Sequence, residues 1–192
     1  LKNNLIKPLK HPSIYYDILS LNTGSMSNNQ NLKIDHLSNC INVKPISNLV
    51  SELTKIDDVV SQNKGSCISI VGGGIASYEI SFSLKQRYLD KVKINIIGDN
   101  QLSEKNINQS SKKKLRNVAE QMGINMIEDR VEQIKSNYLV LASNKIIESN
   151  LNLLSTGAYI SPWLSKTDLS KSETGFIAVN KYLQSQNFEN VF

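Results

Sequence analysis

The residues best suited to chemistry form one run, Ile70-Val71-Gly72-Gly73-Gly74-Ile75-Ala76-Ser77-Tyr78-Glu79. Small and β-branched residues lead into a glycine triplet, and a helical pattern follows. That order suits a bound anion. Gly72 permits a tight turn out of a strand, and Gly73 extends it. Gly74 lacks a Cβ, so the backbone can approach a pyrophosphate closely. The helix opening at Ile75 then offers free N–H groups and a partial positive charge. A dinucleotide fingerprint expects Gly or Ala three residues after Gly74 for close helix–strand packing, but Ser77 stands there. It also expects an acid about 20 residues on, at the end of the second strand, to bind ribose hydroxyls. Asp99 in Ile97-Gly98-Asp99 sits one residue late, with Gly98 where an acid is common. Its charge would repel a 2′-phosphate, so the expected ligand is NADH ahead of NADPH. Lys105 is the only close cation. A glycine triplet can also be a strand-to-helix turn with no ligand; the flanking pattern and the nearby acid favour the dinucleotide.

The elements that must position this run follow from periodicity. Cys67–Val71 reads as a strand, Ile75–Tyr88 as a helix, Val92–Ile97 as a second strand, Lys113–Met122 as a helix stopped by Gly123, and Ile124–Ile127 as a third strand. Ala76, Ile80 and Leu84 form the expected inward stripe of the first helix, with Tyr78 and Phe82 beside it. Leu115, Val118, Ala119 and Met122 do the same for the second. Val131–Lys135, Tyr138–Ala142 and Lys145–Glu148, separated by short polar turns, read as an antiparallel meander. Leu151–Leu154 returns as a buried strand. Upstream, Ile18–Leu21 reads as a buried strand and residues 25–40 as a loop. Pro45 suits the first turn of a helix with Ile46, Leu49, Val50, Leu53 and Ile56 on one face, and Gln62-Asn63-Lys64-Gly65 reads as a turn. Weak strands are expected near Phe176–Val179. The fold class is α/β: a Rossmann-like parallel sheet with helices on one face and a three-stranded meander, plus remnants of another domain.

Composition excludes several classes. The chain has 192 residues, 40% hydrophobic and 20% charged, as in ordinary globular proteins. No stretch approaches the roughly 18 apolar residues that span a bilayer, and no signal-peptide pattern opens it. The net charge of +5 is scattered. Its one run, Lys112-Lys113-Lys114 with Arg116, reads as a solvated helix face rather than a nucleic-acid surface. Cys40 and Cys67 form no CxxC pair, so neither a disulfide framework nor a metal site is expected, and a reducing, cytoplasmic compartment is the default. His11 and His36 read as surface residues, Cys67 as a small core residue and Trp163 as a packing anchor.

Taken in order, these segments resemble the pyridine nucleotide–disulfide oxidoreductase superfamily. The likeness is greatest to type II NADH dehydrogenases and to the flavoprotein module fused to selenide, water dikinase. YYDILSLNTGS resembles the strand closing the first half of the flavin domain, INVKPI the linker, VGGGIASYEI the GGGxxGxE motif, NLLSTGAYISPWL the second A-T-G segment with Ser155 for Ala, and GFIAVNKYLQSQNFENVF the approach to a second flavin motif. The resemblance implies that Gly72, Gly73, Gly74, Ile75 and Ser77 cradle a pyrophosphate, that Glu79 lies near nicotinamide and flavin, and that Thr156-Gly157 marks the crossing back to the flavin domain. It divides the chain into a flavin-domain remnant and linker over residues 1–42, a nucleotide domain over 43–157 and a return segment over 158–192. Hydride transfer from NADH to FAD is the implied reaction.

Both flavin-binding glycine motifs of that family are missing from the chain, and Leu1 and Phe192 read as cut ends. The expectation is therefore an isolated chain that does not retain FAD and turns over little. Its partners would be a small-molecule dinucleotide and the absent flavin-domain segments of the same polypeptide, not nucleic acid, with homodimerisation open. Two other readings stay open: a flavin-free dehydrogenase, and a degenerate module kept for interaction or regulation.

Overall fold

The computed structural model describes residues 3–62, 65–99, 101–102 and 107–192. They form two compact units: Ser27–Ala158, and the described residues of Leu1–Met26 together with Tyr159–Phe192. Residues 27–42, part of the segment read as flavin remnant and linker, lie in the first of these units.

Nine strands lie wholly within the described residues of the Ser27–Ala158 unit: β1 (Lys33–Ile34), β2 (Cys40–Asn42), β3 (Ser66–Val71), β4 (Val92–Ile97), β5 (Asn125–Ile127), β6 (Val131–Ile134), β7 (Tyr138–Leu141), β8 (Ile146–Glu148) and β9 (Leu151–Leu154). Its helices are α1 (Ile46–Ser51), α2 (Leu53–Gln62), α3 (Ile75–Tyr88) and α4 (Gln109–Gln121). An all-parallel sheet runs in the order β2-β9-β3-β4-β5. This is the Rossmann-like sheet expected from the alternation of strands and helices. A second sheet, β8-β7-β6-β1, holds the expected meander. Its fourth strand, β1, pairs parallel with β6 inside the segment read as a loop.

Alternation along the strands separates two cores, because successive side chains point to opposite faces. Ile68, Ile70, Ile94, Ile96, Leu151 and Leu153 point one way and pack with Ile56 and Val60 of α2, Tyr78, Leu84 and Tyr88 of α3, and Ala119 of α4. Each fully buried isoleucine here contributes roughly 1.5–3 kcal/mol. Val71, Ile97 and Leu154 point the other way and pack with Val131, Ile134, Leu139 and Leu141 of the meander. The meander thus covers the face that the helices leave open.

Several elements depart from the periodic reading. The buried side of α3 carries Ser77, Tyr78, Ser81, Leu84 and Tyr88, while Ala76 and Ile80 are only partly covered. Leu84 and Tyr78 are buried as the stripe requires and Ile80 and Phe82 pack against the core, but two buried positions are taken by serines that an apolar pattern does not mark. The helix expected from Ile46 is two helices. Its first turn leaves Ile46 and Val50 exposed, and Pro45 precedes it rather than opening it. α4 begins at Gln109, where the Asn108 side chain accepts from Ser111 N at 2.8 Å, a cap the apolar pattern could not show. It ends at Met122 and Gly123, the latter at φ 66°. Of the Gln62–Gly65 turn, residues 63 and 64 lie outside the described ones.

The other unit has little regular structure. Leu5–Ile6 pairs antiparallel with Ile14–Tyr15, and a short helix spans Pro162–Ser165. The expected strand at Ile18–Leu21 is one bridge, Leu19 to Val191, and Ile18 is 71% exposed. Phe176–Val179 also contributes only isolated bridges. Trp163 is 43% exposed and so anchors no core; Leu164 beside it is the buried residue.

Candidate functional site: a cleft at the carboxyl ends of the parallel strands

The parallel order creates the site. From β3 the chain proceeds outward to β4 and β5 on one side, then returns to place β9 on the other. At such a reversal the loops leaving adjacent strands diverge, and a crevice opens at the strand C-termini. A cleft of about 500 Å³ lies there. Its wall includes Gly72, Gly73, Gly74 and Ile75 after β3, Gly98 and Asp99 after β4, and Ser155, Thr156 and Gly157 after β9.

Backbone packing explains the glycines. Gly72 sits at φ +135°, and a Cβ there would strike the Ser155 carbonyl oxygen. Its N–H donates to Ile97 O at 2.7 Å. A Cβ on Gly98 would lie 2.6 Å from Gly73 N. An acid at position 98, where relatives of the fingerprint often carry one, would therefore clash, and Asp99 is the first position with room for a carboxylate. Gly74 is the N-cap of α3, so the N-terminus of this 14-residue helix, with its partial positive charge, opens beside the cleft. The residues present fit a dinucleotide pyrophosphate: a Cβ-free cradle against a helix N-terminus, with an exposed acid one strand away.

Not every predicted residue reaches the wall. Ser77 is fully buried beneath the cradle, and its Oγ has no hydrogen-bond partner among the described residues. That hydroxyl lies 3.3 Å from where a Gly72 Cβ would be, so Ser77 serves helix–strand packing, the role of the third fingerprint position. Glu79 is exposed one turn into α3 and does not line the cleft. Lys105 lies outside the described residues.

The topology adds residues that spacing could not disclose. Lys44, just past β2, and Asn28 and Asn31 line the cleft on the β9 side, while Arg130 and Val131, past β5, line it with Asp99. Arg130 Nη2 lies 3.0 Å from Glu132 Oε1. Thr156 Oγ1 donates to Asn29 Oδ1 at 2.9 Å, and Asn29 Nδ2 donates to Asn42 Oδ1 at 2.6 Å. These bonds tie the Thr156-Gly157 crossing to the segment leading to Lys44.

The meander side of the sheet is partly polar. Cys40, Asn152, Ser69, Asn95 and Asn125 are register partners across all five strands. Asn125 Nδ2 donates to Asn95 Oδ1 at 3.2 Å, and Asn95 Nδ2 approaches Cys67 Sγ at 3.1 Å. Burial pushes both cysteine thiols up from their ordinary values, so they are protonated at neutral pH. β9 separates their strands, which places them roughly 9–10 Å apart at least, beyond the reach of a disulfide. The chain therefore carries no redox-active cysteine pair of its own. Among the described residues no group of side chains could hold a metal ion. No described helix is long and apolar enough to cross a membrane.

A model of the pyridine nucleotide-disulphide oxidoreductases matches residues 7–192. The chain belongs to this family. Solved structures share its fold at low identity. An oxidoreductase of the family from Enterococcus faecalis aligns with 100% of this chain and 44% of its own at 19% identity, TM-score 0.70. An NAD-dependent persulfide reductase from A. fulgidus aligns with 94% of this chain and 33% of its own at 18% identity, TM-score 0.73. A water-forming NADH oxidase from Lactobacillus brevis, bound to NADH, aligns with 94% and 39% at 14% identity, TM-score 0.65. The chain thus spans between a third and half of the length of these relatives. No curated protein sequence matches it.

Family membership implies a flavin, and the residues present do not fit one. The unit formed by Leu1–Met26 and Tyr159–Phe192 contains two glycines, Gly24 and Gly175, far apart in sequence. Among the described residues neither opens a helix, so neither repeats the cradle at Gly72–Gly74.

Proposed function

We propose that this chain is the nicotinamide-dinucleotide-binding part of a flavin-dependent oxidoreductase and that its cleft holds NADH for hydride donation. The observation that carries this reading is the meeting of Gly72–Gly74, the α3 N-terminus and Asp99 in one cleft at the reversal of strand order. The pyrophosphate would rest on the glycine loop. The adenosine ribose would meet Asp99 on the β4 side, with its hydroxyls donating to the carboxylate. The nicotinamide, which supplies the hydride, would extend over β9 toward Thr156, Gly157 and Lys44. A 2′-phosphate would be repelled by Asp99, so NADH is preferred over NADPH.

The full reaction would belong to a longer assembly, since the chain spans only a third to half of the length of its structural relatives. Its partners in that reading are the nucleotide and the flavin-domain segments that relatives carry in their greater length. Calorimetric titration with NADH and, separately, NADPH tests the assignment. NADH binding that is lost in Gly74→Val and weakened in Asp99→Ala is expected. A well-folded sample that binds neither nucleotide would overturn it in favour of a degenerate module, the reading that outlying Glu79 supports.

A further inference from the structure

Asp99 would set the nucleotide preference, yet it is exposed on a loop, and an exposed carboxylate discriminates only if its position is held. The structure shows what holds it. On one side, Gly98 lies against the Gly73 backbone with no room for a side chain, and its N–H donates to Ile127 O at 3.1 Å. On the other, Leu102 is fully buried at φ 55°, and its N–H donates to Gly73 O at 2.7 Å. Between these anchors Gln101 turns inward and is 7% exposed. Its Oε1 accepts from the Tyr78 hydroxyl at 2.7 Å, and its Nε2 donates to Ile127 O at 3.0 Å. Tyr78 is fully buried on α3, the helix whose N-terminus borders the cleft.

A polar side chain at nearly zero exposure is expensive unless its bonds are made. Gln101 satisfies its amide with groups from α3 and β5, so its side chain cannot shift without breaking them. We infer that the buried Tyr78–Gln101 hydrogen bond is a positioning device that fixes Asp99 relative to the glycine cradle and thereby sets the preference for NADH over NADPH. The inference rests on the proposed function of the cleft. Neither residue touches the nucleotide. Both act through the carboxylate: a loosened loop lets Asp99 swing away from the ribose, losing its bonds to the hydroxyls and relieving its repulsion of a 2′-phosphate.

The experiment is a double-mutant cycle in the whole chain, read as dissociation constants for NADH and NADPH. Tyr78→Phe keeps the ring and removes only the hydroxyl. It is expected to weaken NADH about five-fold, the scale of one net hydrogen bond, and to leave NADPH unchanged or tighter. Asp99→Ala should abolish the preference, and Tyr78→Phe added to it should have no further effect on the ratio. Should Tyr78→Phe melt below the assay temperature, Gln101→Met, which keeps the side-chain length, is expected to give the same loss of preference. Equal weakening of both nucleotides, or an undiminished effect of Tyr78→Phe without Asp99, would show a purely structural role and overturn the inference. An unmutated chain that binds neither nucleotide would instead overturn the cleft assignment and the inference with it.

Discussion

The two units of this chain are built by different means. Residues 27–158 place long runs of paired backbone between two continuous cores, with Ile68, Ile70, Ile94, Ile96, Leu151 and Leu153 at or below 1% exposure. The unit of Leu1–Met26 and Tyr159–Phe192 is held by one two-residue strand pair, isolated bridges and a cluster of four buried residues: Leu19, Leu164, Leu169 and Val191. It leaves Leu9, Tyr15, Ile18, Tyr182 and Leu183 more than two-thirds exposed. Regular pairing between neighbouring strands makes a unit that can carry its own stability. Bridges between distant segments do not, and they leave apolar side chains without partners.

The sharpest way to break this contrast is to damage the stronger unit at its tightest point. Gly72→Ala sets a Cβ against the Ser155 carbonyl at a φ that L-residues rarely adopt. A loss of about 2–4 kcal/mol is expected, together with loss of nucleotide binding. Thermal unfolding should show a large fall in Tm. An unchanged Tm would mean that the β3–β9 approach is looser than described.

Next in size is the difference in local stability. Amides of Ile68, Ile70, Ile94 and Ile96, inside the parallel ladder, should exchange with solvent only on global unfolding. Those of Leu19 and Val191, at one isolated bridge, should exchange at least about 100-fold faster through local opening. Native-state hydrogen exchange measures both at once. Equal protection would erase the distinction between the units.

The smallest effect probes a tie within the stronger unit. Asp57 of α2 accepts from the Arg87 guanidinium at 2.9 Å and from the Tyr88 hydroxyl at 2.8 Å. The Arg87 hydrogen bond, then that from Tyr88, holds its carboxyl below the ordinary value of 3.8. Because the folded value is lowered, the stabilisation is present above pH 4 and is lost as pH falls through the lowered value. The pair is half exposed, so the effect is modest. Asp57→Asn should lower Tm slightly at pH 7, with the gap to the unmutated chain closing as pH falls through the lowered value. A gap that persists in acid would assign the effect to packing.

The same contrast explains what could be read from residue order. The glycine loop, the strand before it and the helix after it are adjacent in sequence, so pattern alone located the cradle. The meander is legible for the same reason, its strands being joined by turns of three and four residues. The inward face of α3 is legible in Tyr78, Ile80, Phe82 and Leu84 but not in Ser77 and Ser81, buried positions where size, not polarity, decides. Lys44 and Arg130 were not legible as site residues, since only the order β2-β9-β3-β4-β5 brings them to the cleft. β1 was missed because two half-exposed residues give no period, and its parallel partner β6 is far along the chain. In the weaker unit, the apolar run Ile18–Leu21 pairs only briefly, through Leu19 and Leu21 with residues 190–192, and the exposed Ile18 shows that an apolar run alone does not make a buried strand. Asp99 stands between these cases. Its candidacy came from spacing, but the reason it must serve in place of position 98 is the contact of Gly98 with Gly73, visible only in three dimensions.

The most direct test of the central claim is an amide NMR titration of the chain with NADH. The account predicts saturable shifts centred on Gly72–Ala76, Gly98, Asp99 and Ser155–Ala158, the walls of one cleft supplied by three strands. Shifts elsewhere, or none at millimolar nucleotide, would contradict the assignment of this cleft as the dinucleotide site.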